Sequence, residues 1–253
     1  MRLRQVALMA HQIEPVAAGL EAVFGLQVAY RDPGVEVFGL ANVVMPAGGE
    51  FIEVLEPIRT DASGARYLQR RGGDAGYMII LQDDDALAHR ARVGAMGVRE
   101  IASSDSRRYR FTHFHPRDCA GVLLSIDDVP GGDWRAPMSD WPPAGADWRD
   151  HPSHLVGGLE AVTVQAHDPR AAAERMSEIL GRPHTTLDGG LSIPLDRGVI
   201  RFTSPVDEDG TGVVGVDLRC HDPAGAITRA AAARYPLLDG AVLIGGVAFR
   251  PVG

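Results

Sequence analysis

The stretch HFHPRDCAGVLLSIDD, residues 113–128, indicates two β-strands joined by a tight turn, with a proline and turn residues between them. Successive side chains of a strand point to opposite sides, so alternation defines which residues share a face. One face carries Tyr109, Phe111, His113 and His115 on the first strand and Leu123, Ser125 and Asp127 on the second. Two imidazoles, a hydroxyl and a carboxylate among apolar neighbours indicate a candidate site there.

The elements that surround this hairpin form a unit that recurs along the chain. A first unit has a strand at Leu3–Ala10, a helix at Pro15–Phe24, and strands near Gln27–Arg31, Val35–Met45 and Glu50–Pro57. A second unit has a strand at Gly76–Gln82, a helix at Ala86–Met96, and strands near Val98–Ser103, Arg108–His115 and Val122–Ile126. Both units follow the order βαβββ, and such self-similarity is a strong indication of a repeated architecture.

Two further units follow a break in the pattern. The third has Leu159–Ala166, a helix at Asp168–Leu180 with Asp168 as its N-cap, and strands at Leu191–Pro194 and Val199–Ser204. The fourth has Val213–Cys220, a helix at Pro223–Arg234 and strands within Ala241–Val252. Four units in two pairs predict an α+β fold of two domains, residues 1–128 and 152–253.

Residues 129–151 are rich in proline, glycine and aspartate, which is typical of a linker. All three tryptophans of the chain, Trp134, Trp141 and Trp148, lie in this segment. A solvated linker does not normally carry such large apolar groups. We therefore expect the tryptophans to anchor the segment against a domain surface or a partner subunit.

Composition limits the functions open to this chain. Its 253 residues carry a formal charge of −8 without any block of basic residues, which argues against nucleic acid as a partner. The absence of lysine excludes Schiff-base chemistry, and no glycine-rich motif of a nucleotide cofactor is present. The two cysteines offer no disulfide framework, and no apolar run reaches membrane-spanning length. We expect a cytoplasmic bacterial protein with a small-molecule ligand.

Paired βαβββ units resemble the vicinal oxygen chelate superfamily, which includes glyoxalases, bleomycin-resistance proteins and extradiol dioxygenases. The stretches that carry the resemblance are LRQVALMA, FIEVLEP, GYMIILQDDD and HFHPRDCAGVLLSIDD. The last is most similar to the closing hairpin of methylmalonyl-CoA-epimerase-like members. The resemblance implies that each domain is a cupped mixed sheet flanked by helices, with a small-molecule site in the N-terminal cup and a degenerate C-terminal domain. It also implies cups that are often completed in a homodimer. It does not specify the reaction, because one fold supports many chemistries.

In metal-using members, four side chains point into the cup, and the resemblance places them at Gln5, Glu53, Met78 and Ser125. Gln5 and Glu53 match the oxygen ligands of the glyoxalase pattern. Met78 stands where a histidine is often found, and Ser125 where a glutamate is usual. A thioether and a hydroxyl are poor ligands for a divalent ion, so only half of the set remains. His113 or His115 could complete it, which leaves one divalent ion on Gln5, Glu53 and His113 as a hypothesis.

Charged residues elsewhere have two interpretations each. Arg201 and Arg250, in the second domain, could bind a carboxylate or phosphate in a second cup, or pair structurally with Asp217 and Asp196. The acidic run at 83–85, like the His-Asp-Pro corners at 167–169 and 221–223, is explained by helix capping rather than by metal binding or catalysis.

The leading functional hypothesis is an isomerase, epimerase or lyase acting on a small oxygenated or carboxylated molecule in the N-terminal cup. Apolar neighbours should raise the pKa of Glu53, which suits a general base. Gln5 would orient substrate or metal, Met78 and Ser125 would line the cup, and Tyr109 would donate a hydrogen bond. His113 or His115 would be the proton partner. The alternative is a binding protein without metal or catalysis, of the bleomycin-resistance kind; a ring-cleaving dioxygenase is disfavoured for lack of histidines at positions 5 and 78.

Overall fold

The first half of the chain forms a seven-stranded mixed sheet in a computed structural model that describes residues 1–187, 189–207 and 210–253. Its strands are β1 (Arg2–Met9), β2 (Leu40–Ala47), β3 (Glu50–Pro57), β4 (Ala75–Gln82), β5 (Glu100–Asp105), β6 (Arg110–Phe114) and β7 (Leu123–Asp127). Its helices are α1 (Ile13–Phe24), α2 (Ser63–Arg71) and α3 (Ala86–Ala95). The strand order is β2-β3-β1-β4-β7-β6-β5, so β1 and β4 lie side by side in the middle.

The second half forms an eight-stranded sheet with the same plan. Its strands are β8 (Val156–Gln165), β9 (Thr185–Leu187), β10 (Gly190–Pro194), β11 (Val199–Thr203), β12 (Gly212–Cys220), β13 (Leu237–Leu238), β14 (Ala241–Ile244) and β15 (Val247–Val252). Its helices are α4 (Pro169–Leu180) and α5 (Pro223–Ala232). The strand order is β13-β14-β15-β12-β8-β11-β10-β9.

Strand pairing explains why the units come in pairs. The opening strands of two units pair antiparallel, β1 with β4 and β8 with β12. Each opening strand also pairs in parallel with the last strand of its own unit. A parallel pair requires a long crossover connection, which begins with α1, α3, α4 or α5. The predicted α+β fold of two cupped sheets built from four units is therefore confirmed.

The first unit departs from the predicted order in two places. The strand expected at Gln27–Arg31 is reduced to an isolated bridge. The strand expected at Val35–Met45 begins only at Leu40, because Pro33–Phe38 forms a 3₁₀ helix. Asp32 caps this helix through its side chain, and a proline at the first helical position is already restricted to a helical φ. Local capping thus overrides the strand preference of the valines.

Capping residues elsewhere behave as predicted. The side chains of Asp85, Asp168 and Asp222 each accept a hydrogen bond from the backbone N–H three residues on, at 2.9, 3.0 and 2.9 Å. Gly25 and Gly181 end α1 and α4 in the left-handed conformation, both with φ of 63°. α2 lies in a polar stretch for which the sequence predicts no element, and only two of its residues are buried.

Two apolar clusters fill the molecule. The larger is continuous between the two sheets, where Phe24 of α1 and Phe249 of β15 pack with ring centroids 6.0 Å apart. Alternation on β3 directs Ile52 and Val54 into this cluster and Phe51 and Leu55 into the smaller one on the concave face of the first sheet. Within the part of the chain described, no helix combines the length and the apolar character that crossing a membrane requires.

The tryptophan-rich segment packs on the concave face of the first sheet. Trp134, Trp141 and Trp148 are all buried, which confirms the expected anchoring against a domain surface. Phe51 stacks on Trp141 with centroids 6.4 Å apart and meets Trp148 edge-on at 5.0 Å. Residues 133–150 are therefore a cover over one end of the cup, and we call them the tryptophan cover.

Candidate active site

The polar centre of the cup is a carboxyl group between two amides. Parallel pairing of β1 and β3 places Gln5 beside the strand that carries Glu53. Gln5 Nε2 donates to Glu53 Oε2 at 2.8 Å, and Asn42 Nδ2 donates to Glu53 Oε1 at 2.6 Å. All three side chains are buried, so the carboxyl group is held in one position by donors on both sides.

The orientation of the Gln5 and Asn42 amides is fixed by neighbouring N–H groups, which can donate a hydrogen bond but cannot accept one. The indole Nε1 of Trp141 donates to Gln5 Oε1 at 2.7 Å, and the backbone N–H of Asp32 donates to Asn42 Oδ1 at 2.8 Å. Because an indole and a backbone N–H only donate, each amide must turn its oxygen to them and its nitrogen to Glu53. Both amides therefore donate N–H groups to the carboxyl of Glu53.

Two opposing effects act on Glu53. Burial raises its pKa, because the charged carboxylate loses its hydration. The hydrogen bonds from Asn42 and Gln5 oppose this rise, and the nearby carboxylate of Asp32 adds to it. The pKa of Glu53 is raised overall, as the sequence predicts. Near neutral pH the protonated and ionised forms of Glu53 are therefore closer in free energy than they are for an exposed glutamate.

Glu53 opens onto a cavity of about 830 Å³ on the concave face. Its wall is formed mainly by apolar and aromatic side chains, including Leu40, Leu55, Met78, Ile80, Leu123, Tyr77, Tyr109, Phe111 and His113. Exposed apolar residues lie at its edge: Val37 is 76% exposed and Ile101 of β5 is 50% exposed. Among the described lining residues the acids are Asp32 and Glu53, and none is an arginine.

A second carboxyl lies beside the cup, in the hairpin of residues 113–128. Asp127 of β7 accepts hydrogen bonds from the hydroxyls of Tyr109 and Ser125. Burial raises the pKa of Asp127 to about 7, and these hydrogen bonds only partly oppose the rise. Burial and the adjacent Asp127 together raise the pKa of Tyr109 well above its usual value. An acid is thus present on β7, two residues beyond the position where the family resemblance places it.

His113 is part of the cavity wall. It pairs across the sheet with Ser125, and its ring packs against Phe111 at 4.5 Å and Phe38 at 6.1 Å between centroids. Burial lowers the pKa of His113 to about 4. The imidazole is therefore neutral at physiological pH, and a neutral imidazole carries one N–H donor and one acceptor.

The residues proposed from the sequence are divided between the cup and other places. The cavity wall contains Gln5, Glu53, Met78, Tyr109 and His113. Ser125 lies behind the wall, where its hydroxyl also donates to the carbonyl of Thr112 at 3.2 Å.

Three further proposed residues have structural contacts outside the cup. His115 follows the end of β6, and its Nδ1 accepts from the backbone N–H of Arg117 at 3.1 Å. In the second sheet Arg201 pairs with Asp217, while Arg250 donates to the carbonyl of Asp239 at 2.8 Å. Asp196, the other expected partner, instead pairs with Arg182.

Sequence reasoning missed Asn42 and Trp141 as parts of the site, and it placed Asp127 on the candidate face without giving it a role. Asp127 had a visible signal, because alternation places it on the same face as Ser125. Asn42 also had one, as a polar residue within the apolar strand LANVVMPA. Trp141 had none, because nothing local indicates which surface a linker residue contacts.

The donor set around Glu53 does not fit the metal ion that the sequence suggests for Gln5, Glu53 and His113. A metal would need the amide oxygen of Gln5, but that oxygen accepts from Trp141 and the nitrogen faces Glu53. Within the described residues no three His, Cys, Asp or Glu side chains are grouped so that they could bind a metal. The expectation of a metal at these residues is therefore not supported.

The mixed sheet curves around a buried carboxyl and an apolar cavity, which is the arrangement that the resemblance implies. The chain belongs to the glyoxalase-like domain family, whose model matches residues 6–180. The match confirms the resemblance to the vicinal oxygen chelate superfamily. No curated protein matches this chain.

The chain is similar to several solved structures. A mutant of 4-hydroxymandelate synthase from Streptomyces coelicolor superposes with a TM-score of 0.67 at 16% identity, over 92% of this chain and 75% of that chain. A methylmalonyl-CoA epimerase variant from Streptomyces coelicolor is 23% identical over 51% of this chain and 97% of its own, with a TM-score of 0.46. The Mycobacterium tuberculosis epimerase is 18% identical over 51% of this chain and 87% of its own, also at 0.46.

Proposed function

We propose that the cup binds a small, neutral and largely apolar oxygenated molecule, and that Glu53 moves a proton on it without a metal ion. The reaction type would be isomerisation or epimerisation. The observation that supports this proposal is the buried carboxyl of Glu53 at the cavity wall, fixed by two N–H donors. Its raised pKa suits a group that must accept and return a proton near neutral pH.

The proposed step needs no co-reactant. The carboxylate of Glu53 removes a proton from a carbon next to a carbonyl, so a C–H bond breaks, an O–H bond forms and the electron pair moves into an enolate. The carboxyl proton exchanges with solvent, and the carboxyl then returns a proton to the enolate. Return to the opposite face of the same carbon, after the enolate turns over in the cavity, yields an epimer, and return to an adjoining atom of the enolate yields an isomer. The neutral imidazole of His113, on the same cavity wall, would donate a hydrogen bond to the developing oxyanion.

The charge of the wall supports a neutral substrate over a carboxylated one. A bound carboxylate would face Asp32 and Glu53 with no arginine among the described lining residues, and the imidazole of His113 is neutral. Like charges on a largely apolar wall repel more strongly than in water, because the effective dielectric constant beside protein is lower. Of the two substrate classes expected from the sequence, the uncharged oxygenated class therefore fits the cup better.

Sequestration without catalysis is a second candidate. Its supporting observation is the apolar character of the wall and of the exposed rim at Val37, Phe38 and Ile101, which favours retention of a ligand whatever its reactivity. In that case Glu53 would serve only as a hydrogen-bond acceptor for the ligand.

A two-stage experiment separates the candidates. Thermal-shift screening would use pairs of neutral carbonyl compounds and their carboxylated analogues, and the neutral member of each pair should bind. Bound compounds would then be incubated with the protein in D₂O. Wild type should incorporate deuterium next to the carbonyl, whereas Glu53→Gln should lower the exchange rate by at least about 100-fold, the usual contribution of a general base.

The outcomes that contradict the proposal are equally specific. Preferential binding of the carboxylated analogues would exclude the neutral substrate class. Binding of ligands with an acidic C–H that undergo no exchange, with Glu53→Gln equal to wild type, would leave sequestration as the function. Thermal melting of the variant is the folding control, because its new amide nitrogen faces an amide donor.

A further inference from the structure

A second cavity lies away from the cup, where the two sheets and the tryptophan cover meet. It has a volume of about 320 Å³ and is lined by Arg2, Trp134, Arg135, Asp196 and Arg197. A backbone bridge connects β1 to the turn between β10 and β11 here, with Leu3 N–H donating to the Arg197 carbonyl at 2.9 Å. None of these lining residues is shared with the cup.

Positive charge exceeds negative charge around this cavity. Arg2 is fully buried and pairs with Glu50, and Arg197 approaches the same carboxylate at 3.7 Å. Arg4 lies two residues after Arg2 on β1 and is also fully buried. Among the described residues its guanidinium donates hydrogen bonds only to the hydroxyl and the carbonyl of Ser139, which are neutral. Because a chain of net charge −8 collects several arginines around one buried carboxylate here, an additional anion would lower the electrostatic energy.

Asp196, the acid that lines the cavity, does not neutralise this excess of positive charge. Asp196 is already engaged by Arg182. Arg135 stacks over the ring of Trp134, with its guanidinium carbon 4.2 Å from the ring centroid, which leaves the edge of the guanidinium open to a ligand.

Two buried N–H groups at this cavity lack an acceptor. Arg2 uses its terminal nitrogens on Glu50 and on carbonyls of the tryptophan cover, but its Nε has no hydrogen-bond partner among the described residues. The indole Nε1 of Trp134 likewise has none within the described chain. Both side chains are more than nine-tenths buried, and a buried donor without an acceptor costs free energy. The missing component is therefore an acceptor.

We propose that this cavity binds an oxyanion group, the phosphate or carboxylate of a small ligand, between Arg2, Arg135 and Arg197. An oxyanion supplies several acceptor atoms, and guanidinium groups bind such groups with paired hydrogen bonds. The indole of Trp134 would donate a further hydrogen bond. Because the ligand would contact both sheets and the cover, its binding would stabilise their mutual arrangement.

Calorimetric titration of the full chain at constant ionic strength tests this site. Inorganic phosphate and acetate are the probes, and the one that binds more tightly identifies the ligand group. Wild type should bind one equivalent of at least one probe. Arg197→Ala should weaken that binding about tenfold, the effect of losing one charge-assisted hydrogen bond, and Trp134→Phe should weaken it measurably. Arg135→Ala, at an exposed position, is the substitute if Arg197→Ala does not fold.

Arg107→Ala is the matched control, because Arg107 is an exposed arginine outside the cavity. It removes the same charge and should leave the affinity for the probe unchanged. Equal weakening by Arg107→Ala would show general attraction of anions instead of a site. Failure of wild type to bind either phosphate or acetate saturably would overturn the proposal.

Discussion

Burial in the cup wall determines the protonation state of His113. Burial lowers its pKa to about 4, whereas the unfolded chain has an ordinary histidine pKa of about 6.5. As pH falls below about 6.5, the unfolded state binds the proton first, so protonation favours unfolding until the folded-state pKa is passed. The imidazole therefore contributes stability at neutral pH that is lost between about pH 6.5 and pH 4.

This linkage gives a measurable pH dependence. The free energy of unfolding of wild type, from urea titrations at pH 7 and pH 4, should fall by up to about 3 kcal/mol more than that of His113→Gln. His154→Gln, at an exposed histidine, is the control and should follow wild type. An identical pH dependence of His113→Gln and wild type would mean that the buried imidazole does not titrate as described.

At the scale of elements, the tryptophan cover determines which hydrogen-bonding groups of the sheet face Glu53. The indole N–H of Trp141 fixes which end of the Gln5 amide faces Glu53. Trp148 packs edge-on against the same Phe51 on which Trp141 stacks. At the cup the cover therefore contributes both packing on Phe51 and the hydrogen bond from Trp141 to Gln5, and these two contributions can be separated.

Trp141→Phe should release Gln5 and raise the pKa of Glu53 further, because the carboxylate loses a fixed donor while it stays buried. Infrared titration of the protonated carboxyl band, with Glu53→Gln as reference, measures this shift. Trp148→Phe removes a comparable indole and should leave the pKa of Glu53 unchanged. Equal shifts in both tryptophan variants would assign the effect to packing instead of to the hydrogen bond.

At the scale of the whole molecule, the two sheets pack closely because a glycine, Gly76, stands at their contact. Gly76 lies on β4 against β12, and a Cβ built there would stand 2.5 Å from the carbonyl oxygen of Val213 and 2.7 Å from its Cβ. Both contacts involve atoms close to the backbone, which cannot move without separating the sheets. The shared core between the sheets would then lose packing on both sides.

Gly76→Ala should therefore lower the free energy of unfolding by about 2 kcal/mol or more, within the range found for overpacked cores. The melting temperature should fall by several degrees, since each kcal/mol corresponds to about 2–4 °C at this chain length. Gly94→Ala, in α3 with no atom within 4 Å, is the control and should stabilise slightly. A melting temperature of Gly76→Ala equal to that of wild type would show that the sheets adjust without cost.

The amino-acid sequence by itself determined the repeat, the α+β fold, the helix caps and the face of the hairpin that carries Tyr109 and His113. These features depend on alternation, helical periodicity and capping, which act over a few residues. The sequence also placed Gln5 and Glu53 on the cup through the family resemblance. It failed in the first unit, where the cap at Asp32 outweighs a strand preference.

Only the tertiary structure decided the hydrogen-bond polarity of the site and the charge of its wall. Trp141 reaches Gln5 across 136 positions of sequence, and His115 and Arg201, which the sequence also proposed as site residues, have partners elsewhere. Such contacts depend on how distant segments pack, and packing is not encoded in any local pattern. The same reason explains the arginine-lined cavity, whose walls come from three separate parts of the chain.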